Sequence, residues 1–261
     1  MRFEGKTVAI TGGGGGIGSA LVRRFAREGA SVRCIDIDAG RARAAADAAG
    51  SAAEAVVADV TLAAEVERAL AGRVDVLVNN SLSATGDNLV TIDEQAWRRD
   101  IDGTLTSAYL CTRAVLPGMV ERGEGAVINV ASLLAFSGSW EAPHLPQRAV
   151  YAASKSFLVT FTQVIAGELR DSGVRVQVVC PGIVRSEFHS RQGLDLSAVP
   201  RMEPRSVVQA SLLDLDRGVV VSIPGSDDET ALGRVEAAQR ELITTTRTVE
   251  LPDRYRAEPH A

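Results

Sequence analysis

The chain has 261 residues, of which 46% are hydrophobic and 4% aromatic, and its formal net charge is -5. This length accommodates one sizeable α/β core without requiring a second domain. The mildly acidic composition, with no clustered basic stripe, argues against nucleic acid and anionic membranes as partners.

Short β-branched runs alternate with helical stretches along the chain. Each run is nearly continuous in apolar character, which is typical of strands covered on both faces of a parallel sheet. The predicted strands are Lys6–Thr11, Ser31–Asp36, Ala55–Ala58, Val74–Asn79, Ala126–Ala131, Val174–Cys180 and Val219–Ile223.

The intervening helices follow from apolar periodicity and end signals. This alternation predicts an α/β fold with a doubly wound, Rossmann-like parallel sheet in a single domain over residues 1–245, followed by a polar tail over 246–261. The predicted helices are Ile17–Glu28, Gly40–Ala49, Leu62–Ala71 with Thr61 as N-cap, Trp97–Val120 behind a Thr91–Glu94 capping box, Val150–Asp171, and a polar stretch at Asp227–Ile243; loops or short helices are expected at Ser137–Arg148 and Ser186–Pro204.

The three cysteines are far apart in apolar stretches, which indicates buried thiols in a reducing compartment. No spacing of cysteine and histidine suggests a metal, and no apolar run approaches transmembrane length. The first residues enter a predicted strand almost at once, which leaves no room for a signal peptide. We therefore expect a cytoplasmic protein without a bound metal.

A glycine-rich turn follows the first strand: Thr11 is followed by five glycines, Gly12 to Gly16, and Ile17 and Gly18 then open a helix. A pyrophosphate needs close approach to backbone N–H groups at a helix N-terminus, and side chains would block that approach. Asp36 ends the second strand, where its carboxylate can accept the adenosine ribose hydroxyls and repel a 2′-phosphate. The turn therefore predicts NAD as cofactor, with NADP less favoured, although a flexible arginine nearby (Arg33 or Arg41) would weaken that preference.

Over roughly residues 5 to 190, the chain resembles the short-chain dehydrogenase/reductase family. The resemblance implies cofactor contacts along the motifs that match the family's pattern in order. The implied cofactor contacts are Thr11-Gly12 with Gly16-Ile17-Gly18, the pair Asp59-Val60, Asn79 at the start of an Asn-Asn-Ala-Gly motif that begins Asn79-Asn80, Tyr151 and Lys155 as a Tyr-x-x-x-Lys motif, and Pro181-Gly182 with the nearby Val184. Ser132, which follows the fifth predicted strand, also matches the pattern.

The resemblance also implies a catalytic set for interconverting a secondary alcohol and a ketone by hydride transfer. Tyr151 and Lys155 are four residues apart and share one helix face. A nearby ammonium lowers the pKa of a phenol, so Tyr151 can exchange a proton with the substrate oxygen. Lys155 would also hold the nicotinamide ribose, and Ser132 would hydrogen-bond the substrate oxygen and stabilise its developing charge.

Three positions depart from the family pattern. Thr104 stands where the family usually has an Asn that supports a proton relay, so we include it in the catalytic set and hypothesise a weakened or rerouted relay. Leu82 puts bulk where the family keeps the backbone bare. The third departure is an insertion within Ser137–Arg148, which would lie over the substrate. Trp140 or His144 would then either contact the substrate or simply pack within the loop.

Two further readings stay open beside the oxidoreductase. The first is a non-redox protein that binds dinucleotide for structure or regulation, and the second is a lyase or epimerase that retains its NAD. Thr104 and Leu82 favour these readings, whereas the intact Ser132, Tyr151 and Lys155 argue against a pure binder. The expected partners are a small-molecule alcohol or ketone and a second copy of the chain, in a homodimer or homotetramer paired through the two long helices.

Overall fold

The computed structural model describes residues 2–85, 89–138, 148–188, 190, 193, 195–196, 198–228, 230–246, 249–252 and 255. It forms two compact units, Met1–Gly225 and Ser226–Ala261. The second unit contains one helix, α8 (Ala231–Thr245), within its described part, and no side chain of α8 is buried.

A seven-stranded parallel sheet forms the centre of the first unit, with the strand order β3-β2-β1-β4-β5-β6-β7. The order runs outward in both directions from the β1–β4 pair, which confirms the doubly wound, Rossmann-like prediction. The strands are β1 (Thr7–Thr11), β2 (Ser31–Asp36), β3 (Ala53–Val57), β4 (Val76–Asn79), β5 (Gly125–Val130), β6 (Val174–Val179) and β7 (Val221–Ser222).

Helices cover both faces of the sheet. Phe25 and Leu212 belong to the apolar core on one face, and Cys111, Met119 and Ile165 belong to the core on the other. The helices of the first unit are α1 (Gly16–Arg27), α2 (Ala39–Asp47), α3 (Ala63–Ala69), α4 (Glu94–Ile101), α5 (Ser107–Arg122), α6 (Ala149–Glu168) and α7 (Pro204–Asp216); a π-helical turn (Asp102–Thr106) joins α4 to α5, and a 3-10 turn (Leu133–Phe136) follows β5.

Two predicted helix caps were wrong. Thr61 does not cap α3, because its hydroxyl donates to the Asp59 carboxylate at 2.7 Å and the helix begins after Leu62. The Thr91–Glu94 capping box is replaced by Asp93, whose carboxylate accepts the Ala96 N–H at 2.7 Å. At α4, a carboxylate directly before the first helical residue is a good acceptor for the orphan N–H groups, whereas α3 has no side-chain cap.

Within the described residues, α6 is the one helix that is long and apolar enough to cross a membrane by length and composition. It packs against β5 and β6 and buries Lys155 and Thr162, which is typical of a core helix in an α/β domain.

Candidate active site

The glycine turn joins β1 to α1 and leaves its backbone bare toward a cavity. Gly12 has a φ of +59°, a conformation that L side chains rarely adopt. A side chain on Gly16 would lie 2.6 Å from the Cβ of Ser186, and one on Gly14 would lie 2.5 Å from the Cβ of Arg41. The N-cap of α1 is Gly15, which supplies no side-chain cap. Bare N–H groups at a helix N-terminus fit a dinucleotide pyrophosphate.

One cavity of about 1590 Å³ runs from this turn along the carboxyl ends of the strands. Ligands bind at this edge in open α/β sheets. Most of the predicted site residues line the cavity, namely Gly12, Gly16, Ile17, Asp36, Asp59, Val60, Ser132, Tyr151, Pro181, Gly182 and Val184. Five others are absent from its lining: Thr11, Gly18, Asn79, Thr104 and Lys155.

Thr11 supports the loop after β4. Its hydroxyl accepts the N–H groups of Asn80 and Ser81, each at 3.0 Å. The Asn80 amide donates to the carbonyl oxygen of Gly12 at 2.9 Å, which couples this loop to the glycine turn. Asn80 is the member of the Asn pair that reaches the cavity, whereas Asn79 is buried and donates to Thr112 and Asn129.

Asp36 closes the cavity near the glycine turn. Its side chain is buried, and its two carboxylate oxygens accept hydrogen bonds from the Gly14 N–H at 3.1 Å, the Asp38 N–H at 3.0 Å and the Arg41 guanidinium at 3.1 Å. Asp59 lines the same end, and its carboxylate accepts the N–H and the hydroxyl of Thr61. Asp36 and Asp59 therefore place two carboxylates at this end of the cavity.

The π-helical turn brings Thr104 into the interior, where it is 3% exposed. A side chain on Gly103 would lie 2.8 Å from the backbone N of Ser83, so only glycine allows the loop after β4 to approach this closely. The buried Asp100 carboxylate holds the same loop by accepting the Ser83 hydroxyl at 2.9 Å and the Thr85 N–H at 3.0 Å. Leu82 lies on this loop and lines the cavity.

Tyr151 and Lys155 occupy the first two turns of α6. The Lys155 ammonium is 1% exposed, donates to the carbonyl oxygen of Val130 at 3.0 Å, and lies 5.6 Å from the centroid of the Tyr151 ring. Burial lowers the pKa of Lys155 to about 8. Burial also raises the pKa of Tyr151, and a hydrogen bond with Ser132 and the positive charge of Arg148 partly oppose that rise. The Ser132 hydroxyl accepts the Leu134 N–H at 3.2 Å.

The wall beyond Ser132 and Tyr151 is largely apolar. The Phe188 ring centroid lies 5.9 Å from that of Tyr151, and Leu133, Phe136 and Leu196 line the same cavity. Arg148 adds a buried positive charge to this wall. Trp140 and His144, for which the sequence leaves substrate contact and plain loop packing as alternatives, lie outside the described residues.

Sequence reasoning missed Arg148, Phe188, Asp100 and Gly103. Arg148 directly precedes the Tyr151 helix, and a glycine inside a predicted helix was a usable signal at Gly103. Phe188 and Asp100 gave no such signal, because their roles depend on contacts made across the fold. In the ranges that the structure describes, no cluster of three or more His, Cys, Asp or Glu side chains could hold a metal ion.

This arrangement can bind a dinucleotide at one end of the cavity and exchange a proton at the other.

A family model described as short chain dehydrogenase matches residues 6–196. 2-(S)-hydroxypropyl-CoM dehydrogenase 3 from Xanthobacter autotrophicus is 35% identical over 217 residues, which cover 80% of this chain and 83% of that protein.

Two solved structures are similar to this fold over nearly the whole chain. A short-chain dehydrogenase from Sphingobium yanoikuyae, in complex with NADPH, has a TM-score of 0.87 and 32% identity and covers 96% of this chain and 100% of its own. A bulky-bulky ketone specific alcohol dehydrogenase from Comamonas testosteroni has a TM-score of 0.84 and 26% identity, covering 97% and 99%. The fold, the motifs in order and these relatives establish that the chain belongs to the short-chain dehydrogenase family of oxidoreductases.

Proposed function

We propose that the protein interconverts a secondary alcohol and a ketone by hydride transfer, with NAD as its principal cofactor. The observation that carries this proposal is the convergence of Ser132 and Tyr151 on the cavity that begins at the glycine turn, with the Lys155 ammonium 5.6 Å from the centroid of the Tyr151 ring. A protein that only bound dinucleotide would need none of these three side chains.

The nicotinamide, when bound, accepts or supplies the hydride. Tyr151 takes the proton from the alcohol hydroxyl during oxidation and returns it to the carbonyl oxygen during reduction. The positive charge of Lys155 favours the phenolate form of Tyr151, which burial alone disfavours. Ser132 donates a hydrogen bond to the substrate oxygen and stabilises the charge that develops there.

The cofactor preference rests on Asp36. Its buried carboxylate lines the cavity beside the glycine turn, where it can accept the 2′- and 3′-hydroxyls of the adenosine ribose. Gly12, Gly16 and the N-terminus of α1 would hold the pyrophosphate. Pro181 and Gly182, which follow β6 and also line the cavity, would border the nicotinamide.

A non-redox role for the same cavity is the second candidate. Leu82 lines the cavity where the family pattern has a smaller residue, and Thr104 gives the π-helical turn a hydroxyl in place of an amide. The Leu82 change bears on the shape of the cofactor pocket, and the Thr104 change bears on the expected proton relay. A dinucleotide-binding regulator, lyase or epimerase would tolerate them better than a dehydrogenase.

We also propose a cytoplasmic homo-oligomer that pairs through α5 and α6. All three cysteines are free thiols, as in a reducing compartment. Tyr109, Phe157 and Val164 on these helices are exposed apolar side chains that a second copy could cover. Light scattering coupled to gel filtration should give a mass of two or four chains, and Val164→Glu should lower it.

The redox proposal is tested with a panel of secondary alcohols and ketones, followed at the absorbance band of reduced nicotinamide. At least one compound should be turned over, and Tyr151→Phe should reduce kcat by about 100-fold or more while NADH binding is retained. A protein that binds NADH, yet changes the absorbance with no compound of a broad panel, would overturn the oxidoreductase proposal in favour of the second candidate.

A further inference from the structure

We propose that Arg148 forms an anion subsite beside Tyr151 in the cavity, so that the preferred substrate is a secondary alcohol or ketone with a carboxylate on one arm and an apolar group on the other. This inference deepens the proposed function, on which it rests, by naming the class of the substrate. Ser132 and Tyr151, which are proposed to meet the substrate oxygen, line the same cavity as Arg148.

Arg148 occupies a position that is unfavourable for a cation. It is the N-cap residue of α6, where its side chain offers no acceptor to the first N–H groups of the helix. The N-terminus of a helix carries partial positive charge, which disfavours a cation there and favours an anion. Arg148 is also only 8% exposed, and burial adds a desolvation cost to a group that stays protonated. An anionic ligand in the cavity would offset both costs.

Arg148 lies one helical turn from Tyr151. Its carbonyl oxygen accepts the Ala152 N–H at 2.8 Å, which places it on the first turn of α6 with Tyr151 three residues further along. Side chains at this spacing are neighbours on a helix. Burial raises the pKa of Tyr151, and the positive charge of Arg148 partly opposes that rise, so the charge reaches the phenol. The carboxylate would therefore be attached within about one to three carbons of the carbinol carbon.

Arg148 is, among the described residues, the one buried cation in the cavity lining. Arg99 and Glu187 also line the cavity, but both are exposed, so water and salt screen their charges. Lys155 is buried yet absent from the lining. A carboxylate that enters this part of the cavity therefore meets a strongly acting positive charge at Arg148.

The remaining wall fits a substrate whose second arm is apolar. Leu133, Phe136 and Phe188 line the cavity, and Leu133 is 47% exposed. Apolar surroundings strengthen an ion pair between a ligand and a buried guanidinium. The guanidinium carries five N–H donors in a planar fork that matches the two oxygens of a carboxylate. The inference does not require an unpaired Arg148, because five donors can serve more than one acceptor at a time.

Binding measurements on the NADH-loaded protein test this without relying on turnover. The probes are benzoate, phenylacetate and 3-phenylpropionate, each compared with its uncharged carboxamide by calorimetry at pH 7. At least one carboxylate should bind about tenfold or more tightly than its amide. Arg148→Gln should reduce that preference to about threefold or less, by weakening the carboxylate alone. A role of Arg148 that is limited to the pKa of Tyr151 would instead alter both members of a pair alike.

Arg185→Gln is the matched control. Arg185 carries the same charge on the loop after β6, but it pairs with Glu203 at 2.6 Å and is absent from the cavity lining. Its replacement should leave every affinity unchanged, which separates a contact in the cavity from a general loss of positive charge. Arg148→Lys should keep part of the carboxylate preference, since a point charge remains without the planar fork.

Three results would overturn the inference while the proposed function stands. These are a wild-type protein that binds no carboxylate more tightly than its amide, an equal effect of Arg148→Gln on both members of each pair, and a preference that is lost in Arg99→Gln or Arg185→Gln but kept in Arg148→Gln. A protein that shows the carboxylate preference yet turns over no alcohol or ketone would instead overturn the proposed function, and the assignment of the substrate would fall with it.

Discussion

The Nζ atom of Lys155 lies 5.6 Å from the centroid of the Tyr151 ring, one turn away along α6. The chain has only two lysines among 28 basic residues, and the other, Lys6, pairs with Glu124 at the surface. An arginine stays protonated when buried, whereas a lysine shifts its pKa. A lysine here, with a pKa of about 8, therefore marks a group whose charge responds to its surroundings.

Lys155→Met should stabilise the fold while abolishing activity. Burial lowers the pKa of Lys155 from 10.5 to about 8, so the unfolded chain binds more protons between these values and stability rises with pH across that window. Below pH 8 the full penalty for the buried charge is present. We expect the free energy of unfolding at pH 7 to rise by about 1–3 kcal/mol.

Urea unfolding of both proteins at pH 7 and at pH 10 measures this effect. The advantage of Lys155→Met should shrink at the higher pH, where the wild-type ammonium loses its proton. Lys6→Met, which breaks a surface pair, should cost about 1 kcal/mol or less at pH 7. A Lys155→Met protein that is less stable than wild type at pH 7 would contradict the prediction.

Arg148→Gln should shift the pH dependence of catalysis to more alkaline values. The positive charge of Arg148 lowers the pKa of Tyr151, so its removal raises that pKa and leaves less phenolate at any given pH. Alcohol oxidation at pH 7 should fall several-fold and recover as pH rises. The measurement is kcat/KM against pH, with Arg113→Gln on the exposed face of α5 as control. An unshifted alkaline limb would argue against this electrostatic role.

Thr104→Asn should change turnover in a pH-dependent way. Thr104 is 3% exposed within the π-helical turn, and an amide there has a longer reach than a hydroxyl. If the proton relay is weakened in the natural chain, the variant should raise kcat, most strongly at low pH. Thr106→Asn on the same turn, where the native hydroxyl donates to Asp102, provides the comparison. Equal kcat values for Thr104→Asn and the wild type at every pH would contradict the relay hypothesis.

Gly103→Ala should loosen the cofactor site and lower stability. The new Cβ would lie 2.8 Å from the backbone N of Ser83, so the loop after β4 has to move. We expect a loss of about 1–3 kcal/mol in stability and weaker NADH binding. Gly167→Ala, in α6 with open space around it, should instead stabilise by about 0.5–1 kcal/mol. Thermal unfolding and NADH titration would distinguish Gly103→Ala from Gly167→Ala. Equal melting temperatures for the two variants would contradict the close approach of Gly103 to Ser83.

Local patterns were enough to predict the sheet. β2 runs over Ser31–Asp36 as expected, because β-branched and apolar residues fill it and Gly29 precedes it. Helix α7 was missed, although Pro204 at its first position and the buried Val208 and Leu212 gave a readable signal. There the loop-like composition of the preceding segment obscured the helix.

The sequence indicates those parts of the candidate site that depend on local spacing, and it does not reveal those that depend on contacts between distant segments. Tyr151 and Lys155 share a helix face that spacing alone reveals. The π-helical turn depends on Gly103 meeting Ser83, which lies on another segment of the chain. The sequence placed Arg41 near Asp36, but the ion pair depends on the contact between α2 and Gly14, which becomes visible only in three dimensions.

Strand β7 is only two residues long, Val221 and Ser222, and pairs with β6. An edge this short offers few free backbone groups to an incoming strand. The opposite edge, β3, is five residues long and carries Glu54, which pairs with Arg33 of β2 at 3.5 Å. Charged side chains on an edge strand discourage pairing with another chain. Brevity at one edge and charge at the other therefore protect the sheet against open-ended aggregation.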